Sequence, residues 1–104
     1  MESLNFESST GTNSYDSSPI LVGVVSSGNL EVLIEKNNDN ICKCEVVTSE
    51  VGYGNIWKCV VEDFFSKYQL TNATVYINDS GASPSVVSLR LEQAVEKFKG
   101  NKYD

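Results

Sequence analysis

The chain predicts an α+β fold, a two-layer sandwich in which a mostly antiparallel sheet of about four strands carries two helices on one face. Three observations point there. Short β-branched runs separated by turn residues fill the first half, at about Ile20 to Val25, Leu30 to Glu35 and Ile41 to Thr48. Two later stretches repeat apolar residues every three or four positions, the spacing of an amphipathic helix. One alternating run, Thr74 to Asn78, stands between them, so the predicted order is β-β-β-α-β-α.

Residues 1–19 are rich in Ser, Thr, Asn and Gly and close at Pro19, a composition that predicts a flexible polar leader. Within it Leu4 and Phe6 alternate with polar neighbours, which allows a short edge strand. Residues 20–100 read as a single domain. Between its first two strands stands Ser26-Ser27-Gly28-Asn29. Glycine and asparagine tolerate the positive φ of tight turns, and serine hydroxyls bond turn backbone, so these two strands form a hairpin. Leu30, Val32 and Ile34 share one face of the second strand, with Glu31 and Glu35 on the other. Asn37-Asn38-Asp39-Asn40 is a turn cluster, and the short links predict an antiparallel meander of three strands.

Gly52-Tyr53-Gly54 breaks the chain, and Asn55 is positioned to cap a helix from about Ile56 to Tyr68. Ile56, Val60, Phe64 and Tyr68 recur every four residues with Trp57, Val61 and Phe65 beside them. Such a stripe covers a sheet more readily than it forms an aromatic cofactor box. The Gly52-x-Gly54 pair is too short for a phosphate loop and lacks its lysine. Ser83 as N-cap and Pro84 as first helical residue open the last helix, whose buried face is Val87, Leu91, Ala94, Val95 and Phe98. Gly100 stops it, and residues 101–104 should fray.

A chain of 104 residues buries roughly 60 to 70% of the surface of its unfolded form, enough for a core but hardly for a deep substrate cavity as well. Fourteen acidic residues against eight basic ones leave a net charge of −6, and Arg90 is the single arginine. Nucleic acid is therefore a poor partner, since neutralising phosphates requires clustered Lys and Arg. Histidine is absent, which removes Ser-His-Asp and Cys-His couples and histidine zinc sites, so no catalytic residue is assigned. Cysteines at 42, 44 and 59 form an odd set, with neither a charged-then-apolar leader nor a membrane-length apolar run. That pattern predicts a reducing cytoplasm and no membrane. Cys42-Lys43-Cys44 has half the donors of a metal site, but no second pair completes it, and in a strand Cys42, Cys44 and Val46 share a face as small core hydrophobes. No metal is expected.

The hairpin run LVGVVSSGNLEVLIE and the later stretch INDSGASPSVVSLRLEQAVEKF are similar to the acyl carrier (delta) subunit of malonate decarboxylase, whose pattern there is D-x-G-A-x-P-x-V-V-x-L-R-L-x-Q. The resemblance extends through MESLNF and VTSEVGYGNIW to most of the chain. It implies that the serine before Gly28, which is Ser27, carries a covalently attached prosthetic group, 2'-(5''-triphosphoribosyl)-3'-dephospho-CoA. One departure stands out: the family commonly has glycine before that serine, whereas Ser26 here supplies a neighbouring hydroxyl. Ser80, in Asp79-Ser80-Gly81, is a rival in the manner of helical acyl carriers, but those are helix bundles and this chain opens with strands.

The resemblance further implies that acetyl and malonyl ride as thioesters on the group's thiol. The implied partners are the transferase (alpha) and decarboxylase (beta and gamma) subunits, a prosthetic-group transferase and a malonyl-loading enzyme. Asp79 and Arg90 match the family string and face either a structural role at the last helix or the prosthetic group and partner enzymes. The related citrate lyase carrier (gamma) subunit is the nearest alternative, and an unmodified interaction or assembly domain is the reading of a different class.

Overall fold

The computed structural model describes residues 1–24 and 26–100. In chain order the elements are β1 (Glu2–Ser8), β2 (Ile20–Gly23), β3 (Asn29–Lys36), β4 (Cys42–Thr48), α1 (Gly54–Tyr68), β5 (Ala73–Ser80) and α2 (Pro84–Phe98). The α+β class is as expected, with five strands where about four were predicted. The additional one is β1, the edge strand that Leu4 and Phe6 allowed, which pairs antiparallel with β4 from Glu2 opposite Thr48 to Ser8 opposite Cys42. The polar leader thus begins inside the sheet. Its later part is tied down as well: the N–H groups of Thr12 and Asn13 donate to the Gln69 carbonyl at 2.9 and 2.8 Å, and the Asn13 carbonyl accepts from Thr71 N–H at 2.8 Å.

The strand order is β1-β4-β5-β3-β2, which corrects the expected three-strand meander. Strand β5 slots between β3 and β4, antiparallel to the first and parallel to the second. The link after β3 therefore spans two strand spacings, about 10 Å, which a short asparagine-rich turn covers as easily as one. The loop leading into β5 pins it there. Asn37 N–H donates to the Asn72 carbonyl at 2.9 Å, and Asn40 N–H, at φ 58°, to Asn72 Oδ1 at 2.8 Å. A parallel pair needs a crossover, and α1 provides it between β4 and β5.

Both helices pack on one face of the sheet, α2 over β2 and β3 and α1 beside it towards β1. Their sheet-side partners are Leu30, Val32, Ile34, Cys42, Cys44, Val46, Ala73, Val75 and Ile77, all buried. Residues one step along each strand point to the open face, where Glu31, Glu35, Lys43, Glu45 and Tyr76 meet solvent in whole or part. Helix α2 follows its predicted plan: Ser83 Oγ accepts from Val86 N–H at 3.4 Å, Pro84 opens the helix, and Gly100 leaves it at φ 67°. Helix α1 departs from its plan. It starts at Gly54 with Tyr53 at the N-cap and no side-chain capping bond, so Asn55 lies inside the first turn. Its buried line runs through Trp57, Val61 and Phe64, leaving Ile56 exposed. Val25, expected to end the first strand, and the tail 101–104 lie outside the described residues; β2 stops at Gly23.

Candidate functional site

The turn between β2 and β3 presents two exposed serine hydroxyls, those of Ser26 and Ser27. Asn29 N–H donates to the Ser26 carbonyl at 2.9 Å, closing a four-residue turn with Ser27 and Gly28 at its centre. Gly28 has φ 75° while Ser27 is not in the left-handed region, the sign pattern of a type II turn. The third position of that turn requires glycine or asparagine, which is why Gly28 sits there. Asn29, expected to share the turn's positive φ, instead begins β3 and holds Leu30 N–H on its Oδ1 at 2.8 Å. The tip is anchored inward by Gly28 N–H, which donates to the Ser80 carbonyl of the central strand at 2.7 Å.

Ser26, Ser27 and Gly28 are all exposed. No atom outside the turn lies within 4 Å of where a Cβ on Gly28 would stand. Both hydroxyls are open to a large incoming group. Ser80, the rival position, ends β5 opposite Asn29 and is half-buried, its carbonyl already committed to the tip.

Asp79 is a structural residue. It is buried, and it accepts from Thr48 Oγ1 at 2.8 Å, Ala82 N–H at 2.9 Å and Gly81 N–H at 3.2 Å, which shapes the turn from β5 into α2. A cavity of about 260 Å³ opens beside this turn, lined among others by Glu50, Trp57, Asp79, Ala82 and Val87. Arg90 behaves differently. Its side chain reaches β2, where Cδ and Nε stand 3.1 Å from the position a Cβ on Gly23 would take, and Nε is buried with no hydrogen-bond partner among the described residues. Gly23 itself has φ 93°, and a Cβ there would also run into the Leu30 carbonyl. Periodicity had placed Arg90 only at a helix flank; what no local pattern could show is that a glycine on a distant strand makes room for it.

The profile of the malonate decarboxylase delta subunit (MdcD) matches residues 17–98. The chain belongs to that family of acyl carrier proteins. It is 41% identical over 101 residues to the malonate decarboxylase acyl carrier protein of Acinetobacter calcoaceticus, covering 96% of this chain and 99% of that one. Against the malonate decarboxylase acyl carrier protein of Burkholderia cepacia the identity is 53% over 76 residues, or 73% of this chain and 70% of the relative. A chain in the crystal structure of a Pseudomonas malonate decarboxylase hetero-tetramer in complex with malonate superposes with a TM-score of 0.84 at 38% identity, covering 94% of this chain and 99% of that one.

The delta-subunit family implies a prosthetic group, and the residues at the turn suit a phosphate-linked one. The tip has the open volume for a bulky ester, and a guanidinium Nε with no partner among the described residues is buried against the strand that leads to it. The protein thiols suit the chemistry poorly. Burial pushes Cys42 up to about 12 and Cys44 still higher, so both are neutral and inert near neutral pH. Cys59 is exposed on α1, on the layer opposite the open sheet face.

Proposed function

We propose that this chain is the acyl carrier subunit of a malonate decarboxylase, with Ser27 Oγ joined by a phosphodiester to the phosphoribosyl-dephospho-CoA arm of 2'-(5''-triphosphoribosyl)-3'-dephospho-CoA, diphosphate leaving as the bond forms. The observation that carries this reading is the exposed serine at the second position of a tight turn, in a chain whose family profile spans residues 17–98. When bound, the group supplies a thiol that takes acetyl or malonyl as a thioester. The chain's own residues do the rest, which is presentation.

Ser27 provides the attachment oxygen on the exposed turn of the hairpin. Gly28 supplies the positive φ and leaves open space where a side chain would block the enzyme that installs the group. Ser26 closes the turn through its carbonyl, and its hydroxyl is the neighbouring oxygen that the installing enzyme must pass over. The bond from Gly28 N–H to Ser80 at 2.7 Å fixes the tip to the central strand, so the tether swings from a defined origin and raises the local concentration of acyl group at each active site it visits.

Transferase (alpha) and decarboxylase (beta and gamma) subunits are the sites visited, and a prosthetic-group transferase and a malonyl-loading enzyme act on the same tip. The hetero-tetrameric setting of the solved relative supports partner subunits of this kind. A carrier without catalysis of its own is supported by a sequence with no histidine in 104 residues. Free Cys42, Cys44 and Cys59 suit the reducing cytoplasm, and no helix among the described residues is long and apolar enough to cross a membrane.

The test is intact and peptide mass of protein produced beside its modifying enzymes. A cofactor-sized addition should map to the peptide containing Ser27, vanish in Ser27→Ala and persist in Ser26→Ala. Addition that survives on the Ser27→Ala chain would move the attachment to another residue.

A further inference from the structure

We infer that Arg90 is the phosphate receptor of the carrier: its guanidinium, laid across Gly23 at the root of the serine turn, binds phosphoryl oxygens of the group attached at Ser27. The inference rests on the attachment proposed above and adds a second residue to it.

Four observations converge. Nε of Arg90 is buried and has no hydrogen-bond partner among the described residues, and a donor removed from water without an acceptor is costly unless something else fills the role. The bond that Arg90 does make, from Nη1 to Gln93 Oε1, is long at 3.4 Å and comes from its own helix. Gly23 is the residue that admits the side chain, because any Cβ at φ 93° would press on Cδ and Nε. Gly23 precedes Ser27 by only four residues and pairs with Glu31 across the hairpin, so the guanidinium stands beside the strand that carries the tip.

Charge distribution agrees with the assignment. Glu31, Glu50 and Asp79 lie at this end of the sheet, a poor setting for an arm that carries a phosphodiester and a diphosphate. Three of the lysines are engaged elsewhere: Lys36 with Asp16 at 3.0 Å, Lys43 with Asp39 at 3.1 Å and Lys99 with Glu96 at 3.8 Å. Lys36 and Lys43 stand at the far end of β3 and the start of β4, opposite Ala73 and Thr74. Arg90 forms no ion pair among the described residues, and its planar fork matches two phosphoryl oxygens at once in a way a lysine cannot. Bound in this way, the first segment of the arm is held near the hairpin while the distal thiol stays free.

The experiment compares unmodified and modified carrier by nitrogen-15 and phosphorus-31 NMR, with intact and peptide mass reporting separately whether Ser27 is loaded. On loading, the Arg90 Nε–Hε resonance should shift and its exchange with water slow, and Arg90→Gln in the loaded protein should return at least one phosphorus resonance to its free-solution position. Arg90→Lys keeps the charge without the fork and should give an intermediate phosphorus shift. If mass places the group on Ser27 but the Arg90 resonance in wild-type protein is the same with and without it, the receptor role is overturned while the attachment stands. If mass finds the group on a different residue or finds none, both fall. The wild-type comparison decides the matter even where a variant folds poorly.

Discussion

Cys42 and Cys44 lie beneath the helices as neutral thiols, and their protonation ties stability to pH. The folded state raises Cys42 from an ordinary 9.0 to about 12 through burial, and Cys44 upward through burial and then the neighbouring Cys42. A folded pKa above the unfolded one means the folded chain holds the proton more tightly. The stabilisation is therefore complete below about pH 9 and is lost as pH rises from there towards about 12. Replacing both residues with alanine should lower Tm near neutral pH, because small cavities open in the core. It should also flatten the decline of Tm between about pH 8 and about pH 11 relative to wild type, as measured by thermal melts. Equal slopes in the two proteins would show that other groups control alkaline unfolding. Cys42 and Cys44 were legible from their spacing alone, since strand alternation puts positions 42, 44 and 46 on one face.

The junction of β5 and α2 concentrates the polar stabilisation of the element it starts. Asp79 holds Thr48 Oγ1 and two backbone N–H groups, whereas the Ser83 cap holds one N–H at 3.4 Å. Asp79→Ala leaves all three donors without their acceptor, at a cost of about 2 to 4 kcal/mol, while Ser83→Ala costs about 1 kcal/mol. Chemical denaturation of the two variants ranks them, and an Asp79→Ala loss no larger than that of Ser83→Ala would show that water replaces the carboxylate. The contrast between the helices shows where local signals suffice. Ser83 and Pro84 announced the start of α2 because capping acts within three residues. Helix α1 uses no side-chain cap, so Asn55 misled by about two residues: the chain leaves Gly52 at φ 90° and is already helical at Gly54. The turn at Ser27 and Gly28 was readable for the same local reason, while the contact of Arg90 with Gly23 joins distant parts of the chain and leaves no pattern in either segment.

At the scale of the whole molecule, the element types and their single helical layer followed from periodicity, but the strand order did not. A link of a few residues after β3 fits either a hairpin or a step over one intervening strand, and only the packing of β5 between β3 and β4 decides. The chain holds no histidine, and the cavity of about 260 Å³ beside the turn from β5 into α2 is lined by the carboxylates of Glu50 and Asp79, which repel a malonyl carboxylate. Purified carrier loaded with malonyl should therefore retain its CO2 until decarboxylase subunits are added, as followed by CO2 evolution before and after the addition. Rapid, saturable release from the isolated chain would make this domain an enzyme. The bond between the Gly28 amide and the Ser80 carbonyl has a mechanical corollary. A partner that tugs on Ser27 pulls along β3, and the ladder from Asn29 opposite Ser80 to Lys36 opposite Ala73 resists in shear, its bonds lying across the direction of force. Strand β2, with four residues and one neighbour, would peel under the same tension. The arm is thus moored to the middle of the sheet as well as to its margin, and a hard pull by one enzyme is borne by β3 and β5 when β2 gives way.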